Sequence, residues 1–225
     1  MEILMLSSAG FLLGHVLLSG SSARSSLVGR LGQGGFMALY SIVALMTLGT
    51  MIYAYETLPT PDFLWFPGHG LRHLPLLVMP FALILLAGGY GTRNPSAVGM
   101  AQSLERPDVA RGVLRITRHP IMWGIMLWAG AHVLANGDLG SLVFFGGLLL
   151  TALLGSWHLD RRLAADQGER WQRFVAVTSY VPFAAIIQGR QSLIWRELLL
   201  PIGVGSILYV ALLLLHARLF GVVPY

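Results

Sequence analysis

The sequence predicts an all-α fold: a polytopic transmembrane helical bundle of about six spans with short interfacial helices. Three observations carry this reading. Hydrophobic residues make up 55% of the 225 and charged residues only 11%, against about 25% charged in an ordinary soluble domain. Apolar stretches of about 20 residues, the length of a helix that crosses a bilayer, recur along the chain. The positive charge is all arginine and gathers in the loops after alternate stretches. The chain reads as a single domain, 1–225.

The spans fall at about 3–20, 35–55, 74–90, 120–134, 139–157 and 198–215. The first carries Glu2 as its one early charge, so it reads as a span and not as a signal peptide with a basic leader. Pro120 suits the first position of span four, where its missing N–H costs nothing. The Asn136-Gly137-Asp138 turn joins spans four and five into an antiparallel hairpin. Between 103 and 115 the mixed charge predicts a short interfacial helix. Residues 160–174 read as a continuation of span five, with Asp166/Arg170 and Glu169/Arg173 pairs at i,i+4 spacing. The apolar segment 181–187 is too short to span and predicts a buried turn or re-entrant piece. Glycines such as Gly124, Gly130, Gly146 and Gly147 predict close helix approach.

Thirteen arginines lie in the loops after spans one, three and five, and two, Arg72 and Arg218, lie on the other side. Positive charge favours the cytoplasmic side, so both termini face the periplasm of a bacterial inner membrane. The formal charge of +5 then reflects orientation and contact with anionic lipid headgroups, not nucleic acid, because no basic face stands free of the membrane. With no cysteine, disulfides, iron–sulfur clusters and thiol nucleophiles are excluded. No phosphate-binding loop, dinucleotide fingerprint, zinc motif or nucleophile elbow is present.

An ionisable residue inside a span is costly and marks a functional position. His15 and His132 both lie in apolar spans beside glycine or alanine. Two readings stand. Neutral imidazoles suit axial ligation of haem iron, or each bonds a polar group on a neighbouring helix. At about 1.5 Å rise per residue their depths differ by roughly 10 Å, which a tilted haem absorbs. Arg118 and His119 stand at the mouth of span four and read either as an anion or propionate site or as headgroup contacts. Arg161, in Asp160-Arg161-Arg162, and Arg190, in Gly189-Arg190-Gln191, are further candidate cofactor contacts, with a solvated loop as the plainer reading. His69 and His73 flank Arg72 in a loop that Trp65 anchors at the interface. His158 and His216 read as interfacial, and Met122, Trp123, Met126 and Trp128 as packing.

The run Arg115-Ile-Thr-Arg118-His119-Pro120, the Ala131-His132 element through Asn136-Gly137-Asp138, Asp160-Arg161-Arg162, the stretch 178–186 and Gly189-Arg190-Gln191 together resemble the NnrU family. They are also similar to the ζ-carotene isomerases of the same superfamily. Arg-His-Pro alone is shared with membrane methyltransferases of the isoprenylcysteine type, a weaker third possibility. The resemblance implies haem b with His15 and His132 as its iron ligands. It also implies a link to nitrite and nitric oxide metabolism or, alternatively, haem-dependent isomerisation of a carotenoid-like polyene. Implied partners are membrane lipid, haem, and a hydrophobic polyene or nitric oxide. Around span two the match is loose, so no substrate cavity is carried over.

Overall fold

The computed structural model describes every residue except Ser21, Val98, Pro107 and Tyr225, and the side chains of Ser19 and Ser22 are also outside the description. The chain is helical: α1 (Glu2–Gly20), α2 (Ser22–Glu56), α3 (His69–Arg72), α4 (Leu74–Gly91), α5 (Pro120–Asn136), α6 (Leu139–Gln167), α7 (Glu169–Val177), α8 (Ala184–Ile187) and α9 (Trp195–Phe220). Six of these occupy the six expected spans. Four helices, Ala23–Glu56, His69–Gly91, Leu139–Gln167 and Trp195–Phe220, are long and apolar enough to cross a membrane on their own; α1 and α5 are shorter. Their outer faces are apolar, with Leu214 74% and Ile207 71% exposed. Such surfaces are liabilities in water and ordinary against lipid.

Local chemistry explains where the helices depart from the expected bounds. α2 contains a kink at Gly32, whose φ of 70° is left-handed and so favours glycine. Residues 22–31 precede the span as a separate helical piece, and Arg24 lies over the Phe36 ring at 5.3 Å. The expected helix over 160–174 is interrupted. Gly168 takes φ 51° and ends α6, and α7 starts afresh at Glu169. Arg170 consequently pairs with Glu105 at 3.1 Å instead of Asp166, while Arg173 stays 3.8 Å from Glu169. The expected interfacial helix at 103–115 is two short 3-10 helices, Ala101–Glu105 and Gly112–Arg115. The apolar 181–187 segment makes one turn, α8.

Two compact units can be distinguished. The first comprises Met1–Leu74 and Ala129–Leu159, the second Pro75–Trp128 and Asp160–Tyr225. In the first, Gly10 and Gly14 of α1 lie against Thr47 and Val43 of α2. Ser8 Oγ donates to the Val143 carbonyl at 3.0 Å, tying α1 to α6. Small residues thus allow close helix approach where no hydrophobic force acts between helices in lipid. The Asn136-Gly137-Asp138 turn is fully bonded. Asp138 accepts from the Ser141 N–H (2.8 Å) and hydroxyl (2.6 Å), Asn136 donates to Ser141 Oγ (3.0 Å), and the Tyr55 hydroxyl joins them at 2.8 Å. The Leu64 and Trp65 N–H groups donate to the Gly137 carbonyl.

In the second unit Leu85, Val113, Ile116 and Leu198 form a buried core, with Trp123 and Ile202 packed on it. Gly205 of α9 abuts the backbone of Ile84, and Gly124 of α5 abuts Ala82 and Leu86. Above this core, Glu197 at the start of α9 accepts from the Gly112 N–H at 2.6 Å and from Arg115 Nε at 2.8 Å, and Arg115 also donates to Gln191 Oε1 at 2.6 Å.

The turn yields a test. Asp138→Ala removes the side-chain cap of α6, and the protein is expected to lose about 1 kcal/mol of stability, measured by thermal unfolding in detergent. Unchanged stability would show that the turn does not need the cap.

Candidate functional site

The unit 1 histidines sit on apolar helices. His15 Nδ1 donates to the Phe11 carbonyl, one turn earlier on α1, at 2.8 Å. Its ring packs on Phe11 (4.2 Å between centroids) and edge-on to Tyr40 of α2 (5.3 Å). Because a carbonyl only accepts, the proton is on Nδ1 and Nε2 is the nitrogen left to bind a metal, as in many metal-ligating histidines. The space beside it, walled by Gly14, Leu18, Tyr40, Val43 and Thr47, is closed and does not admit even a water molecule. His132 of α5 packs on Phe145 of α6 at 5.0 Å. Phe145 in turn meets Phe144 and Tyr55. Among the described residues no group of three or more histidine, aspartate or glutamate side chains gathers to hold a metal. The donors these apolar helices carry are the imidazoles of His15 and His132, and imidazole is a common ligand of haem iron. His69 and His73 stack on each other, and His73 Nδ1 bonds the His69 carbonyl at 2.6 Å.

Arg118 and His119, read as site candidates in the sequence, come together in unit 2 with Asp160, the neighbour of the candidate Arg161. Arg118 grips the Asp160 carboxylate with Nε (3.0 Å to each oxygen) and Nη2, and His119 Nε2 donates to Asp160 Oδ1 at 2.6 Å. Tyr180 closes the cluster: its ring meets His119 at 5.5 Å and the Arg118 guanidinium lies 5.7 Å over it. The backbone fixes the positions. Arg118 N donates to the Ser179 carbonyl (2.9 Å), while Thr117 Oγ1 and Trp123 Nε1 both donate to the Tyr180 carbonyl (2.7 and 2.8 Å). His119 is wholly buried, and its Nδ1 has no hydrogen-bond partner among the described residues, nor has the buried Asn94 Nδ2. Burial pushes the His119 imidazole below its ordinary value, and this outweighs the pull of the Asp160 carboxylate in the other direction. The ring is thus neutral, with its proton on Nε2 and a lone pair on Nδ1.

The other two candidate arginines separate. Arg190 caps α7, donating through Nη1 to the carbonyls of Val175, Ala176 and Thr178 and through Nε and Nη2 to Gln188. Arg161 follows Asp160 on α6 and is exposed. Glu197 is the member the sequence reading did not single out. Its signal was its place as the one acid at the start of the apolar α9 run.

Four apolar helices of spanning length, with His15 and His132 on the two shorter apolar helices α1 and α5, define a multi-pass helical membrane protein. The chain belongs to the family described as NnrU protein, whose profile matches residues 3–224. It is also similar to the chloroplastic 15-cis-zeta-carotene isomerases of Zea mays and Arabidopsis thaliana. Each is 45% identical over 82 residues, which is 36% of this chain and 22% of the relative. The matched segment thus spans about a fifth of the length of those relatives. No solved structure matches.

The depressed His119 value makes stability pH-dependent. Above about pH 6.5 the imidazole is neutral in both folded and unfolded chains. As pH falls from there towards the lower folded value, the unfolded chain takes up a proton that the folded chain refuses, so stability is lost. Thermal unfolding followed from about pH 7.5 down to 5.5 is expected to show a shallower decline in His119→Gln than in the parent. Equal slopes would overturn the assignment. Asp160→Ala strands the Arg118 charge and is expected to cost roughly 3 kcal/mol, the low end for a broken buried pair because the pair is not fully enclosed. Denaturant unfolding of that variant in detergent checks it.

Proposed function

We propose that this protein is a membrane-embedded cis–trans isomerase of a carotenoid-like polyene that works with a haem b held by His15 and His132. The observation that carries the reading is His15: an imidazole on an apolar helix, with Nδ1 committed to Phe11 and Nε2 left for iron. The activity named for the two plant relatives supplies the reaction class. When bound, haem iron offers a centre that exchanges electron density with a conjugated double bond and so eases rotation about it.

The chain's own residues do the rest. The Phe11 carbonyl fixes the tautomer and orientation of His15, which raises its basicity as a ligand. Phe145 packs on His132 and limits its ring rotation. Because the space beside His15 is closed, a macrocycle requires α1 and α2 to part along the Gly10 and Gly14 contacts. A polyene dissolves in the bilayer and reaches the apolar helices sideways, where water is excluded. The arginine asymmetry orients the bundle with both termini on the periplasmic side of a bacterial inner membrane. The resemblance to the NnrU family noted in the sequence leaves a second reading, a haem protein serving nitrite and nitric oxide metabolism.

Detergent-purified protein from haem-sufficient cells is expected to show a Soret band, with oxidised and reduced bands altered in His15→Ala and His132→Ala. Co-expression with a pathway that accumulates 15-cis-ζ-carotene is expected to change the isomer ratio on chromatography, and each variant to abolish the change. Absence of the Soret band sinks haem ligation. A normal Soret band with an unchanged isomer ratio removes the isomerase and leaves the nitrogen-oxide reading.

A further inference from the structure

Beyond α4 the chain folds around a pocket of about 310 Å3, within the range that encloses small ligands. Arg93, Arg106 and Arg111 line it, with Thr92, Ser103 and one carboxylate, Asp108. The two hydroxyls are already donating, Thr92 Oγ1 to the Gly88 carbonyl and Ser103 Oγ to the Met100 carbonyl, each at 2.7 Å. Attraction for a ligand therefore comes from the guanidinium groups. Arg111 is held in place by Asp108 at 2.9 Å, with Glu197 at 3.8 Å. Arg93 and Arg106 have no carboxylate within ion-pair distance among the described residues. Three cations against one anion leave the lining at +2. Guanidinium forks match the oxygens of a phosphate, and Arg93 and Arg106 present two that no carboxylate among the described residues engages, with Arg111 beside them.

We infer that this pocket is a binding site for a phosphoester anion, independent of the isomerase reading. It starts one residue after Gly91, where the candidate span His69–Gly91 ends. There a helix leaves the hydrocarbon, and basic pockets at such levels hold anionic headgroups. A phospholipid headgroup and a free phosphate present the same chemistry, so the experiment separates them.

Full-length protein is compared with Arg93→Gln/Arg106→Gln and with a charge-matched control, Arg173→Gln/Arg196→Gln, whose residues lie outside the pocket lining. Inorganic phosphate and pyrophosphate are the soluble probes, read by thermal shift. Phosphatidylglycerol in phosphatidylcholine nanodiscs is the lipid probe, read by native mass spectrometry of retained lipid. The pocket variant is expected to bind at least about tenfold more weakly than the parent, with the control unchanged. Protection by the soluble anions assigns a free phosphate ligand, and retention of phosphatidylglycerol alone assigns a headgroup. No binding by either probe, or an equal loss in the control, overturns the site. If the double variant does not fold, Arg106→Gln with the same readouts takes its place.

Discussion

Asp160 stands on α6 after some twenty mostly apolar residues, and a carboxylate there is tolerable only with its partners in place. Removing one of a buried charge's partners costs several kcal/mol, so the partners are as fixed as the charge. Arg118 and His119 supply three nitrogens to the one carboxylate. That sets the residues immediately before Pro120 and hence the start of α5. The same stretch then bonds the Ser179 and Tyr180 carbonyls. Phe183 N donates back to the Ile116 carbonyl, with Phe183 itself held at φ 64°. The turn leading to α8 thus takes its shape from a salt bridge made on another helix.

The two histidine settings differ in kind. His119 lies in an ionic cage and donates a hydrogen bond to a carboxylate, which suits holding the fold together. His15 donates its hydrogen bond to its own helix and packs on the rings of Phe11 and Tyr40, which leaves Nε2 as the nitrogen not used in that bond. The Arg115–Glu197 contact repeats the Asp160 device at the start of α9, where the Gly112 N–H fills the remaining place on the carboxylate.

Much of this architecture was readable from residue order, because crossing a bilayer depends on hydropathy summed over neighbours. The helices α1, α4, α5 and α9 begin or end within a few residues of their expected places. Arg118 and His119 were legible as site candidates and Asp160 only as part of Asp160-Arg161-Arg162, and their convergence was not legible. Ion-pair choice is decided by tertiary neighbours 41 and 42 positions away. The same limit explains Arg170, which looked like a helix partner of Asp166. Gly168 turns the chain, and Glu105 captures the guanidinium. Arg190 looked like a ligand contact because its charge is visible in the sequence, whereas the carbonyls it caps at the end of α7 are not. Tyr40 and Phe145 gave no sequence signal at all, since apolar spans are full of aromatic residues.

The turn between α5 and α6 bears on how the chain enters the bilayer. α5 has 17 residues, short of the roughly 20 needed to commit a helix to the membrane alone. Its two-residue link to α6 leaves few polar groups unmatched, because Asp138, Ser141, Asn136 and the Gly137 carbonyl are bonded to one another or to the 62–65 loop. The pair therefore partitions as one helical hairpin, with α6, which holds a spanning-length apolar run, carrying its short neighbour across. Lengthening that turn with polar residues would uncouple the two and leave α5 to insert on its own marginal hydrophobicity.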